Sequence, residues 1–285
     1  MDKFDMNPDA LASAAEPKAR HVDVGGASLY LEIRGSGVPV LIVGAADEDA
    51  EIYRGIAERL ADTCTVVTYD RRGTGRSGNS DWPSDSVRHA DDAAALIESM
   101  NLTGVTVLGA SAGGIVALRL ALRRPELLKT VLCFEPGVFH AAEGGEAFRA
   151  EVADTVENHL LEHPDDWIGA TEALGRAAVR SISDQTSLFT PPPGREWFFR
   201  HAASQAEPLI RGDMPLTGED FDSDDVANCP TNLRFSYGTA SLPIFRTIAE
   251  TLAGRRNEAP DVLDGVSHGI FLHPDQATRY IASWT

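Results

Sequence analysis

Gly109-Ala110-Ser111-Ala112-Gly113 follows the apolar run Val105-Thr106-Val107-Leu108 and precedes Gly114-Ile115-Val116-Ala117-Leu118-Arg119-Leu120, a helix-like run. A serine between two glycines, where a strand gives way to a helix, is the sequence form of a sharp turn that presents the serine oxygen at a sheet edge. Small residues two places either side let strand and helix approach closely. The helix N-terminus behind the serine offers backbone N–H groups to a developing oxyanion. Glycines can also serve packing alone in such a turn, so the flanking sequence has to separate a nucleophile from a bare turn.

Strand and helix patterns alternate on both sides of this turn. Residues 27–33 alternate as a strand, residues 38–43 form a continuous apolar strand, and residues 49–60 place Ile52, Ile56 and Leu60 on one helical face. Residues 64–69 form a β-branched strand ending at Asp70, and residues 85–100 form an amphipathic helix with Ser84 as its expected N-cap. Residues 104–108 lead into the serine, residues 115–123 form a helix stopped by Pro125, and residues 129–134 form another strand. Apolar strands separated by helices predict a mostly parallel, doubly wound α/β sheet covered on both faces. From residue 137 to 228 the pattern changes to helices and loops, with Pro191-Pro192-Pro193-Gly194 as a stiff break before Glu196-Trp197-Phe198-Phe199. Strands and helices return over residues 232–237, 242–252, 260–263 and 276–284. The expected organisation is a loose tail over 1–20, a core over 21–136 and 229–285, and a helical cap over 137–228.

The chain has 285 residues, 43% of them hydrophobic, which suits one large domain or one domain with an insertion. With 25 Lys and Arg against 43 Asp and Glu the formal charge is −18, which repels nucleic acid and anionic membrane surfaces. The expected partner is therefore a small, neutral molecule, and the composition leaves oligomeric state open, a homodimer included. Cys64, Cys133 and Cys229 match no disulfide framework or metal site. The polar N-terminal stretch has no apolar targeting segment, so a cytoplasmic protein is expected.

A serine hydroxyl needs a base, and the base needs an orienting acid. Of the 8 histidines, His268 lies in Asp264-Gly265-Val266-Ser267-His268-Gly269, the loop after the last predicted strand, where a base would face the turn from the sheet edge. His273 is the second choice, with a start for the last helix as its simpler role.

These features together resemble the α/β-hydrolase superfamily. The resemblance rests on Gly109–Gly113, on His268, on Asp70-Arg71-Arg72-Gly73-Thr74-Gly75-Arg76-Ser77 and on Arg124-Pro125-Glu126, and it covers residues 22–136 and 229–285. It implies an eight-stranded sheet with the cap inserted between the sixth and seventh strands. Many members carry His-Gly where this chain has Val43-Gly44-Ala45-Ala46. The family's oxyanion hole uses backbone N–H groups, so Ala45 (within one residue) and Ala112 are the implied donors, and Gly44 a candidate substrate contact. Asp47, Glu48 and Asp49 follow, either touching a substrate or starting the next helix.

The usual site of the acid, here Tyr237-Gly238-Thr239-Ala240-Ser241-Leu242-Pro243, holds no carboxylate. Glu135 ends the preceding strand in Cys133-Phe134-Glu135-Pro136, a placement similar to that of the triad glutamate in zearalenone lactonases; otherwise Glu-Pro only leads into the cap and the acid lies elsewhere. Trp197 falls near the place of a binding tryptophan in those enzymes, while Trp167, Phe198 and Phe199 are further candidates for an apolar pocket. The resemblance thus implies a cofactor-free, metal-free serine hydrolase of an apolar, aromatic or macrocyclic ester or lactone, built on Ser111, His268 and Glu135. Alternatives are an esterase or C–C hydrolase of another small molecule, an acyltransferase, or a ligand receptor with an idle triad. Epoxide hydrolases and haloalkane dehalogenases use an aspartate nucleophile, so Ser111 argues against both.

Overall fold

The apolar runs become the centre of one eight-stranded sheet: β1 (Lys18–Val24), β2 (Ala27–Arg34), β3 (Val38–Val43), β4 (Cys64–Tyr69), β5 (Val105–Ala110), β6 (Leu128–Phe134), β7 (Asn232–Gly238) and β8 (Asp261–Leu263). The computed structural model describes residues 16–180 and 204–285. The strand order is β1-β2-β4-β3-β5-β6-β7-β8; β2 runs antiparallel to β1 and β4, and every other pairing is parallel.

Successive side chains of a strand point to opposite faces, and the core divides accordingly. Leu41 and Val43 of β3 face a layer with α2 (Ser86–Ser99), α3 (Ala112–Arg123) and the Pro243–Gly254 helix. Val40 and Ile42 face the other way, onto α1 (Arg54–Leu60) and the Pro274–Ala282 helix. Cys64, Cys133 and Cys229 are buried free thiols.

The sequence expectations differ from the structure at element ends. The tail expected over 1–20 already joins the sheet at Lys18, because β1 is an exposed edge strand held by its ladder to β2 and carries no apolar alternation. The helix expected from Asp49 starts at Arg54. Asp49 Oδ1 instead accepts the N–H groups of Glu51 at 2.9 Å and Ile52 at 3.3 Å, a side-chain turn that competes with helix. The N-cap of α2 is Asp85, which accepts the Arg88 N–H at 2.8 Å, rather than Ser84.

Between β6 and β7 the described residues form α4 (Gly145–Glu162), α5 (Trp167–Arg180), a run of short turns over Ala206–Pro208, Leu209–Asp213 and Met214–Leu216, and the Ser223–Asn228 helix. Leu209–Asp213 is a π-turn. It delivers Asp213 to the buried Arg71 after β4, Oδ1 to NH2 2.5 Å. Removing one partner of such a pair leaves the other charge buried and uncompensated. Asp213→Ala is therefore expected to cost about 3–5 kcal/mol of stability, measurable by urea unfolding.

Candidate active site

The parallel register sets neighbouring strand ends side by side: Val43 pairs with Gly109, Gly109 with Cys133, and Phe134 with Ser236. The residues that follow, Gly44, Ser111, Glu135 and Gly238, therefore meet along the carboxyl edge of the sheet, where open α/β sheets bind ligands.

Ser111 sits between β5 and α3 at φ 52° and ψ −119°, the strained backbone of a sharp turn. Its N–H donates to Phe134 O at 3.1 Å, and its own carbonyl accepts from Gly137 N at 3.2 Å, so the turn is bonded to both sides of Glu135. A Cβ on Gly113 would stand 2.1 Å from Val43 O, and one on Gly109 would stand 2.4 Å from Gly113 O. Close approach of the elbow to the end of β3 thus requires glycine at 113, and close approach of β5 to α3 requires it at 109.

Glu135 is also held in the left-handed region, at φ 44°, and its side chain is fully buried. Both carboxylate oxygens are used: Oε1 accepts the Gly238 N–H at 2.8 Å, and Oε2 accepts from His268 Nδ1 at 2.6 Å. A carboxylate only accepts, so Nδ1 carries the proton and Nε2 is left as the basic nitrogen. The His268 ring stacks on Phe245 of the Pro243–Gly254 helix, centroids 4.2 Å apart and planes 16° from parallel. Burial works against an imidazolium here. The hydrogen bond and charge of Glu135, with the charges of Glu48 and Asp47, outweigh it and raise the His268 pKa above its usual value.

The loop after β3 is unlike the sequence expectation. Asp47 and Glu48 do not begin a helix. The Ala45 N–H donates to Glu48 Oε2 at 3.0 Å, and that same oxygen accepts from Tyr53 OH at 2.5 Å. The next N–H, of Ala46, donates to Asp213 Oδ2 at 2.5 Å. Burial among Glu48 and Asp213 lifts Asp47 to about 7, and burial raises Glu48 as well. The Asp70–Ser77 motif is structural: Asp70 accepts from Ala50 N at 2.9 Å and Arg76 N at 2.8 Å, and the Gly75 Cα lies too close to its carboxylate for a side chain.

Of the expected site residues, Ser111, Ala112, Glu135, His268, Gly44 and Ala45 gather at this edge. His273 precedes the last helix, and its Nε2 lies 2.9 Å from Ser267 Oγ, beside the site loop. Trp167 packs in the small core of the insertion with Val156, Ala170 and Ile210. Trp197, Phe198 and Phe199 lie outside the described residues. Glu48, Tyr53, Asp213 and Phe245 were not among the expected site residues, except that Glu48 stood as a possible substrate contact. Asp213 and Phe245 carry no local signal, since each reaches the site only through the fold.

The chain belongs to the alpha/beta hydrolase family, whose model matches residues 35–279. It is 34% identical over 145 residues to an uncharacterized hydrolase, YraK, of Bacillus subtilis, a match over 50% of this chain and 54% of that protein. The chain spans about half the length of the curated relatives it matches. An alpha/beta hydrolase from Sphaerobacter thermophilus superposes with a TM-score of 0.75 at 23% identity, over 93% of this chain and 99% of that one. Est816, described as an N-acyl homoserine lactone degrading enzyme, superposes with a TM-score of 0.70 at 19% identity, over 93% and 100%. At these identities the structural likeness establishes the fold alone.

The glycine requirement at the elbow gives a direct test. Gly113→Ala places a methyl group against the Val43 carbonyl and is expected to cost about 1–3 kcal/mol through overpacking, read as a lowered urea midpoint with an unchanged slope.

Proposed function

We propose that this α/β-hydrolase is a serine hydrolase that cleaves a carboxylic ester or lactone of an apolar substrate through Ser111, His268 and Glu135. The observation that carries the reading is the 2.6 Å Glu135–His268 pair fixed beside the strained serine turn. In the proposed cycle Ser111 Oγ attacks the carbonyl carbon while His268 Nε2 takes the hydroxyl proton. Glu135 holds the tautomer and stabilises the imidazolium. The N–H groups of Ala112 and Ala45 receive the oxyanion. His268 returns the proton to the leaving alkoxide, then deprotonates a water that attacks the acyl-enzyme; the second tetrahedral intermediate expels Ser111 Oγ, which takes that proton back from His268 as the acid is released.

The lactone reading, including aromatic or macrocyclic lactones of the zearalenone kind, draws support from the glutamate placed after β6 and from the fold shared with a lactone-degrading enzyme. A second reading, a ligand-binding protein with an idle triad, is favoured by one observation: the Ala45 donor is occupied by Glu48. Labelling by a fluorophosphonate decides between them. Wild-type protein is expected to label at Ser111 and Ser111→Ala not at all; tight ligand binding without labelling supports the binding protein.

Glu135→Gln keeps an acceptor for the Gly238 N–H but turns an amide donor toward His268, which enforces the wrong tautomer. A folded protein with kcat lowered by about 10⁴-fold is expected; unchanged turnover places the acid elsewhere. Because the base must be neutral and its pKa is raised, kcat/KM should be full at alkaline pH and fall as the pH drops through a value above 6.5. A pH–rate profile with no acid limb contradicts the assignment.

A further inference from the structure

The Glu48 carboxylate sits on the N–H that the proposed reaction needs free. Glu48 Oε2 is fixed by two donors, Ala45 N–H at 3.0 Å and Tyr53 OH at 2.5 Å. Tyr53 is itself immobilised: it is 1% exposed and meets Phe271 edge-on at 6.1 Å. The turn is closed by Glu48 N donating to Ala45 O at 3.1 Å, and Gly44 lies against Glu48 and the Tyr53 ring too closely to admit a Cβ. The arrangement is therefore a built contact between a carboxylate and a backbone donor within the active-site edge.

We infer that Glu48 determines substrate selectivity by competing for the Ala45 N–H, so that the site admits neutral acyl groups and refuses anionic ones. The inference rests on the serine-hydrolase reading above. An oxyanion and a carboxylate cannot share one N–H without strong repulsion, so the attacked carbonyl must displace Glu48 or meet it in neutral form. The positive charge around Glu48 is outnumbered. Asp47 and Asp213 face it with the same sign. The Arg71 guanidinium acts on Glu48 with the opposite sign but is paired with Asp213. His268 adds a second opposite charge only when protonated. A substrate carrying its own carboxylate near the carbonyl would add a charge to this group and is rejected twice, once by Asp47 and Glu48 and once by the occupied donor. Such repulsion against unwanted ligands is a common source of specificity.

Glu48 acts through Ala45, so it is a positioning residue, and its removal should raise rather than lower the rate. The test compares wild type, Glu48→Gln and Tyr53→Phe with a neutral alkyl fluorophosphonate, p-nitrophenyl butyrate and mono-p-nitrophenyl succinate. In the labelling reaction the Ser111 Oγ–P bond forms, fluoride leaves and the serine proton passes to His268. Glu48→Gln is expected to label at least about threefold faster than wild type at pH 8, because a charged competitor for the donor is gone. Wild type should prefer the butyrate over the succinate by about tenfold or more, and Glu48→Gln should narrow that preference at least threefold. Tyr53→Phe removes one anchor of the carboxylate while keeping the ring, and should move both quantities in the same direction by less. It also decides the matter if Glu48→Gln does not fold, as judged by thermal unfolding. Equal or slower labelling with an unchanged butyrate-to-succinate ratio in the folded variants overturns the inference. Absence of labelling and esterase activity in wild type overturns the serine-hydrolase reading instead, and with it this inference.

Discussion

The hydrogen bond between Glu135 and His268 is the constraint on which the rest of the site depends. A fully buried carboxylate is costly unless its oxygens are satisfied, and here one oxygen is bonded to Gly238 and the other to His268. That requirement joins the end of β6, the end of β7 and the loop after β8 into one piece. The serine turn is tied to the same point, since Ser111 N–H donates to Phe134 O before Glu135 and its carbonyl accepts from Gly137 N just after it. At this edge two non-glycine residues, Ser111 and Glu135, have positive φ. Strain of about 1–3 kcal/mol at each is tolerated only where the surroundings fix the conformation. The parallel ladders on either side of β5 and β6 do so.

The insertion between β6 and β7 acts on this edge through Asp213. A π-turn places that carboxylate between the Arg71 guanidinium and the Ala46 N–H. Such turns recur at functional sites because the extra residue re-aims a side chain. Without it the buried Arg71 would lose its ion-pair partner, and the loop after β3 its outer anchor. Part of the insertion is thus bound to the active-site edge by charge as well as by packing.

Much of this was legible in the sequence, for physical reasons. Central strands buried on both faces must be apolar runs, so β3, β4, β5 and β6 stand out, and the glycines around Ser111 are dictated by backbone contact. Glu135 is expected as the acid because the loop after β7 offers no carboxylate, and the fold sets it against His268. What remained hidden has no local signature. β1 is a polar edge strand whose hydrogen bonds, not its side chains, put it in the sheet. Helix α1 begins late because Asp49 bonds the backbone ahead of it. Asp213 lies far along the chain from Ala46 and Arg71, and only the folded insertion brings them together. The charges of Asp47 and Glu48 were visible, but not that Glu48 would turn back onto Ala45.

Glu135 and Glu48 show how one side chain can serve opposite ends of one reaction. In the proposed attack, positive charge grows on the imidazole while negative charge grows on the carbonyl oxygen. Of the groups that react, Glu135 touches the imidazole, through Nδ1, and its charge favours the separated state throughout. Glu48 also favours the imidazolium, as the raised pKa of His268 reflects, yet it holds the donor that the oxyanion requires. Its net effect is set by distance and by the ligand. A neutral carbonyl has only to displace it, whereas a charged acyl group meets its full field in a poorly screened site. On the proposed reading, the electrostatics of this edge separate two tasks: the buried glutamate favours proton transfer to His268, and the glutamate of the β3 loop selects which carbonyls can use it.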